Sequence, residues 1–234
     1  MIGVNVCFRY LGKKNKPPVN RLAQLGENKS VNEQFRIIRT NIEFVSMGQN
    51  NVYLITSSIP GEGKSTITSN IAMTFGQQNK KVLLIDGDMR RPTQDKLFRR
   101  LNNVGLSTLL ANQHTMEEAI QPIEEYNIDF LPSGPVPPNP AELLSSTKLE
   151  TLLEECKQKY DLIFIDSPPL IDIADGPILA SKVDGTFLIV RAYKTYKAEI
   201  QKSVQILEQS NSKIMGYVLN DVKKQGQGKN YYVY

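Results

Sequence analysis

Three short stretches place groups suited to phosphate chemistry beside apolar runs. The first is TSSIPGEGKST, Thr56 to Thr66. Its glycines, Gly61 and Gly63, let the backbone curl so that N–H groups face phosphate oxygens. Lys64 can reach the β- and γ-phosphates, and the Ser65 hydroxyl can ligate Mg²⁺. The residues Gly61, Glu62, Gly63, Lys64, Ser65 and Thr66 form the end of a P-loop. Ser58 stands where the strict eight-residue pattern has its first glycine. The second stretch is Asp86-Gly87-Asp88-Met89-Arg90, after Val82–Ile85. The third is Asp166-Ser167-Pro168-Pro169, after Leu162–Ile165. Carboxylates at such positions can hold Mg²⁺ through its retained waters.

These groups work together only if the elements that carry them end at one edge. Val52–Thr56, Lys81–Asp86, Ile128–Leu131, Asp161–Asp166, Gly185–Val190 and Ile214–Leu219 read as buried strands. Helical periodicity runs from Val31 to Val45, with Ser30 as the N-cap, then over Lys64–Gln77 and near 94–101, 141–158 and 197–209. Strands alternating with helices predict an α/β fold, a mostly parallel sheet flanked by helices on both faces. In such a sheet ligands bind outside the carboxyl ends of the strands, so the three motifs converge on one crevice. The proline-rich stretch 132–140 reads as a rigid surface loop.

The 234 residues suit one such domain. One histidine, His114, and two distant cysteines, Cys7 and Cys156, exclude a His/Cys metal cluster and indicate no disulfide framework. The longest apolar runs are about four residues, where a membrane-spanning helix needs roughly 20. The N-terminal sequence is a poor match to a signal peptide.

The ends differ from the middle. Residues 1–30 carry Arg9, Lys13, Lys14, Lys16, Arg21 and Lys29 against Glu27, a charge of +5 that leaves −1 for the remainder. They read as a flexible basic arm, 31–222 as the P-loop domain, and 223–234 as a flexible tail. The tail ends in Tyr231-Tyr232-Val233-Tyr234, which holds three of the ten tyrosines. From Val222 onward the chain can span about 40 Å. On the first helix Glu33, Arg36 and Arg39 form E-x-x-R-x-x-R, a charged stripe within an arc of about 120°.

SSIPGEGKST, DGDMR and LIFIDSPP, with the tyrosine-rich end, resemble the Walker A, A′ and B motifs of bacterial tyrosine kinases, over Val31–Tyr234. These are cytoplasmic P-loop enzymes tied to capsule and exopolysaccharide production, and their looser Walker A tolerates the serine at position 58. The resemblance implies ATP and Mg²⁺ as cofactors, with Lys64, Asp86, Asp88 and Asp166 catalytic. Asp86 would accept the tyrosine proton. Ser65, Asp88 and Asp166 would serve the metal, and the backbone of 61–66 the phosphates. Tyr231, Tyr232 and Tyr234 would be autophosphorylated in trans.

It also implies a homo-oligomeric ring built through Glu33, Arg36 and Arg39, and a transmembrane adaptor that recruits the chain to the inner face of the membrane. Protein-tyrosine substrates and a cognate phosphatase are implied as well, with no nucleic-acid partner. The alternative is a partition or cell-division P-loop ATPase acting as a switch or scaffold. Those carry a signature lysine five positions before the invariant one, where this chain has Ile59.

Overall fold

A computed structural model describes residues 5–7, 29–46 and 52–222. In chain order the elements are β1 (Asn5–Cys7), α1 (Lys29–Ser46), β2 (Val52–Ser57), α2 (Lys64–Gly76), β3 (Val82–Asp86) and α3 (Gln94–Phe98). Then come α4 (Leu106–Leu110), α5 (Met116–Ala119), β4 (Gln121–Ile123), a 3₁₀ turn, β5 (Ile128–Leu131), α6 (Pro140–Ser145) and α7 (Thr147–Lys157). The last are β6 (Leu162–Asp166), α8 (Asp175–Ala180), β7 (Gly185–Arg191), α9 (Lys197–Gln209) and β8 (Ile214–Asn220).

The eight strands form one sheet in the order β1-β8-β7-β2-β6-β3-β5-β4. Neighbours run parallel except β4 against β5. Both faces are covered, so the central strands are apolar throughout instead of alternating. Along β2 the side chains part by the two-residue period. Tyr53 and Ile55 join Phe35, Ile38, Ile71, Phe75 and Phe164 under α1 and α2. Val52 and Leu54 join Leu149, Leu153, Ile163 and Leu179 on the other face. Cys156 lies in that second core, where burial pushes its thiol up to about 12, so it packs as an inert apolar group.

The six expected strands are present, and two edge strands, β1 and β4, join them. Asn5–Cys7 falls in the segment read as an irregular arm, yet it pairs with Tyr217–Leu219. Helix α1 begins at Lys29, so Ser30 stands inside its first turn instead of capping it. The helix expected over 141–158 breaks at Ser146, which is extended (φ −65°, ψ 152°) and whose hydroxyl donates to the Leu143 carbonyl. Short helices α4, α5 and α8 lack enough turns for a periodic signal. Among the described residues no helix is long and apolar enough to cross a membrane.

Strand order reverses at β2. The chain goes on to β3 and β5 on one side of it, and returns through β7 and β8 on the other. A crevice opens outside the strand ends at such a point.

Candidate active site

The turn after β2 needs two left-handed residues, and glycines occupy both, Gly61 (φ +80°) and Gly63 (φ +93°). A Cβ on Gly63 would stand 2.4 Å from Asn220 Nδ2. The first helical bond of α2 runs from Ile67 N to Gly63 O at 3.0 Å. The N–H groups ahead of it point out of the helix end, which carries the positive pole of the dipole. That is the anion cradle expected of residues 61–66. Ser58 is fully buried, and its hydroxyl has no partner among the described residues.

Lys64 lies across the carboxylates. Its Nζ is 3.6 Å from Asp166 Oδ1, 3.7 Å from Asp88 Oδ2 and 3.2 Å from Ser65 Oγ. Burial works against its charge, but Asp166, Asp88 and Asp86 together hold its pKa above the usual lysine range. Asp86 and Asp166 face each other across the β3–β6 ladder, and both are fully buried. A cavity of about 770 Å³ opens above, walled by Gly61, Gly63, Lys64, Ser65, Thr66 and Asp88, with Leu97, Pro169, Ile171 and Ile173 as its apolar side.

Three residues depart from the sequence reading. Asp86 does not face the cavity. Its Oδ1 accepts the Asp88 N–H (3.1 Å), and its Oδ2 accepts those of Thr93 (3.1 Å) and Gln94 (3.0 Å). Burial and the charge of Asp166 raise its pKa to about 8, against the pull of these bonds and Lys64. It braces the loop from 87 to 94, and accepting a tyrosine proton would require breaking that brace.

Glu62 also turns inward. It is 1% exposed. Its carboxylate accepts the N–H groups of Ile59 (2.8 Å) and Arg191 (3.1 Å) and the Thr195 hydroxyl, while its carbonyl accepts Asn220 Nδ2 (2.8 Å). Only its backbone belongs to the cradle.

Arg39 leaves the charged stripe. Its side chain is 15% exposed, beside Glu43 (3.9 Å) and the Thr74 carbonyl (3.5 Å). With the Gln78 amide oxygen turned inward, that oxygen accepts both terminal nitrogens of Arg39, at 3.1 and 2.8 Å. Glu33 and Arg36 stay exposed and pair at 3.5 Å. Tyr231, Tyr232 and Tyr234 lie outside the described residues.

Arg90, which by sequence could bind phosphate, hold the loop or form a surface ion pair, makes a two-pronged pair with buried Asp175 of α8, at 2.8 and 3.0 Å. Sequence reasoning missed Asp175 and a second support. Gln94 links Asp166, Ser65 and Ser69. Neither partnership has a local signature, since each spans tens of residues.

Ser65, Asp88 and Asp166 offer oxygen only, the donor set of a hard cation. The described residues contain no cluster of three or more His, Cys, Asp or Glu that would enclose a metal. Asp166 Oδ1 is buried and has no hydrogen-bond partner. This fits Mg²⁺ shared with nucleotide phosphates, since that ion favours one or two carboxylates plus water and phosphate.

Residues 52–215 match the model of an AAA domain family, so the fold is that of a nucleotide-binding P-loop ATPase. The chain is 46% identical to tyrosine-protein kinase YwqD of Bacillus subtilis, over 84% of each protein. It is 39% identical to the putative tyrosine-protein kinase CapB of Staphylococcus aureus, over 94% of this chain and 98% of that one. The chain belongs to the bacterial tyrosine-protein kinases. The solved kinase domain of the Escherichia coli tyrosine kinase ETK superposes on this kinase with a TM-score of 0.85, at 31% identity, covering 98% of this chain and 93% of that one. The cell-division ATPase MinD of Pyrococcus furiosus shares the fold at 26% identity and a TM-score of 0.64, covering 74% of this chain and 72% of that one. The kinase thus resembles the division ATPases less, as the missing lysine at Ile59 suggested.

Proposed function

We propose that this kinase transfers the γ-phosphoryl group of ATP to protein tyrosines, first to Tyr231, Tyr232 and Tyr234 of a neighbouring copy. The observation that carries the reading is Lys64, held between Asp88 and Asp166 where the helix dipole and the loop N–H groups meet the cavity. In the reaction a bond forms between the tyrosine oxygen and the γ-phosphorus, and the bond to the ADP oxygen breaks. The tyrosine proton leaves late in a loose transition state and passes to solvent, so positioning and charge outweigh the base. Lys64 balances the charge that develops, and the loop N–H groups orient the phosphates. Mg²⁺, when bound through Ser65, Asp88 and Asp166, supplies charge neutralisation on the phosphates. Asp86 serves by holding the loop that carries Asp88.

On this reading residues 31–222 are the catalytic domain, with β1 joined to the edge of its sheet, and the substrate tail follows. Glu33 and Arg36 contribute to contacts in a ring. A transmembrane adaptor recruits the kinase to the inner face of the membrane, a phosphatase resets it, and its state regulates capsular or exopolysaccharide synthesis. Support comes from the family membership and from the exposed Glu33–Arg36 pair.

The test is incubation of the purified protein with Mg²⁺-ATP, with and without adaptor tails, and mapping of phosphotyrosine by mass spectrometry. Phosphate on the three terminal tyrosines is expected. ATP hydrolysis without any phosphotyrosine would overturn the kinase reading in favour of a nucleotide switch.

A further inference from the structure

Gln94 is fully buried at the start of α3 and lies in none of the three motifs. Its Nε2 donates to Asp166 Oδ2 at 2.9 Å and to the Ser65 carbonyl at 3.1 Å. Its Oε1 accepts the Ser69 hydroxyl at 2.6 Å, and its backbone N–H donates to Asp86 Oδ2 at 3.0 Å. One residue therefore touches the helix of the phosphate loop and both acidic strand ends. The amide orientation follows from its neighbours. Both N–H bonds meet groups that only accept, and the oxygen meets a hydroxyl. The reverse orientation would set oxygen against two oxygens.

The consequence falls on Asp166. A carboxylate turns about its last torsion in a broad well, so nothing intrinsic assigns its two oxygens to different tasks. Here Oδ2 is occupied by Gln94, while Oδ1, without a hydrogen bond, faces Lys64 at 3.6 Å. We propose that Gln94 is a positioning residue for phosphoryl transfer: it locks Asp166 so that one oxygen always faces Lys64, and it ties that carboxylate to the backbone of Ser65. The inference rests on the kinase reading of the site.

The amide suits this task because it is neutral. A lysine or arginine would compete with Lys64 for Asp166. A glutamate would add a third buried carboxylate beside Asp86 and Asp166. An amide donates two hydrogen bonds while leaving Lys64 as the counter-charge, so the site is organised before nucleotide arrives.

The experiment compares wild type with Gln94→Leu, which keeps the bulk and loses the bonds, and Gln94→Asn, which keeps the amide one carbon shorter. ADP affinity, KM for ATP and kcat per bound nucleotide are measured, the last so that unfolded molecules do not count. Positioning predicts that ADP affinity and KM stay at wild-type values while kcat falls roughly hundredfold, the cost of about 1 Å of misplacement. A purely structural role predicts wild-type kcat per bound nucleotide, and that result overturns the proposal.

A second readout needs no turnover. In nucleotide-free protein with ¹⁵N-labelled lysine, the Lys64 Nζ resonance should move in both variants. An unmoved resonance also overturns the proposal. If the wild type makes no phosphotyrosine while this resonance still moves, the kinase reading has failed and the bracing of Asp166 stands. Should Gln94→Leu not fold, Gln94→Asn carries both measurements.

Discussion

Lys64 Nζ and Asp166 Oδ1 stand 3.6 Å apart as a nearly dry ion pair, the lysine 12% exposed and the aspartate fully buried. The charge that would serve the phosphates is therefore already committed to the carboxylates. A nucleotide entering the cavity would exchange one set of negative partners for another, without drawing the lysine in from water.

Lys64→Met should lose phosphorylation by at least 10²–10³-fold in kcat, the usual cost of removing one preorganised charge stabiliser. It should also lose stability, because Asp166 is left without its counter-charge. Breaking a buried pair costs about 3–5 kcal/mol. Radiolabelled ATP turnover and thermal melts check the two halves. Because protonation relieves the orphaned carboxylate, the loss in melting temperature should be smaller at pH 5 than at pH 8.

Stability of the nucleotide-free wild type should also fall as pH rises. Asp86 has a folded-state pKa of about 8, set by burial and by Asp166, above its unfolded value. The folded form thus holds a proton that the unfolded form has released. The stabilisation is complete below the unfolded pKa and is lost as pH climbs through the folded one. Melts from pH 5 to 8 should show a declining midpoint. Asp86→Asn should flatten the slope and lower the midpoint throughout, since its NH₂ group would meet a backbone N–H where an oxygen accepted one. If Asp86 acted only as a proton acceptor, the midpoint would not move.

Glu62→Gln should weaken nucleotide binding with little effect on kcat at saturation. The carboxylate accepts from Ile59, Arg191 and Thr195, and an amide cannot accept all three. A buried donor left unpaired costs about 1–3 kcal/mol, which corresponds to roughly 5- to 150-fold in affinity when the loop must be re-formed on binding. Titration with a fluorescent ADP analogue, beside saturating-ATP rates, gives both numbers.

The charged stripe of α1 should divide by function. Glu33→Ala with Arg36→Ala should abolish any ring, as seen by light scattering behind a sizing column, at an unchanged melting temperature. Both side chains are more than 60% exposed, and such pairs stabilise little. Arg39→Ala should lower stability by about 1–2 kcal/mol, because its stem and guanidinium pack against α2 and Gln78.

Much of this kinase was legible in its residues. Apolar runs such as Val82–Ile85 and Leu162–Ile165 are short-range signals, and their β-branched residues and length indicate strands buried on both faces. The glycines, Lys64 and Ser65 sit within one turn of each other, so the phosphate cradle is local too. A parallel sheet then places Asp86 and Asp166 side by side. The edge strands were not legible. Asn5–Cys7 and Gln121–Ile123 are three residues each, too short for a period, and exist because a neighbouring strand presents a free ladder.

Which way each side chain points was decided only by the tertiary structure. Position placed Glu62 in the machinery, position and family resemblance placed Asp86, and resemblance placed Arg39; the fold turned each inward, toward backbone N–H groups or a second helix. It also recruited Gln94, 72 residues from Asp166, and set Thr195 against Glu62 across 133. No local pattern encodes such pairs. A buried polar group must find a partner or bear the cost of desolvation, and its partners are whichever donors and acceptors the packed sheet brings within about 3 Å. Residue type and spacing determined the chemistry available at this site, while packing determined which of those groups stay free to use it.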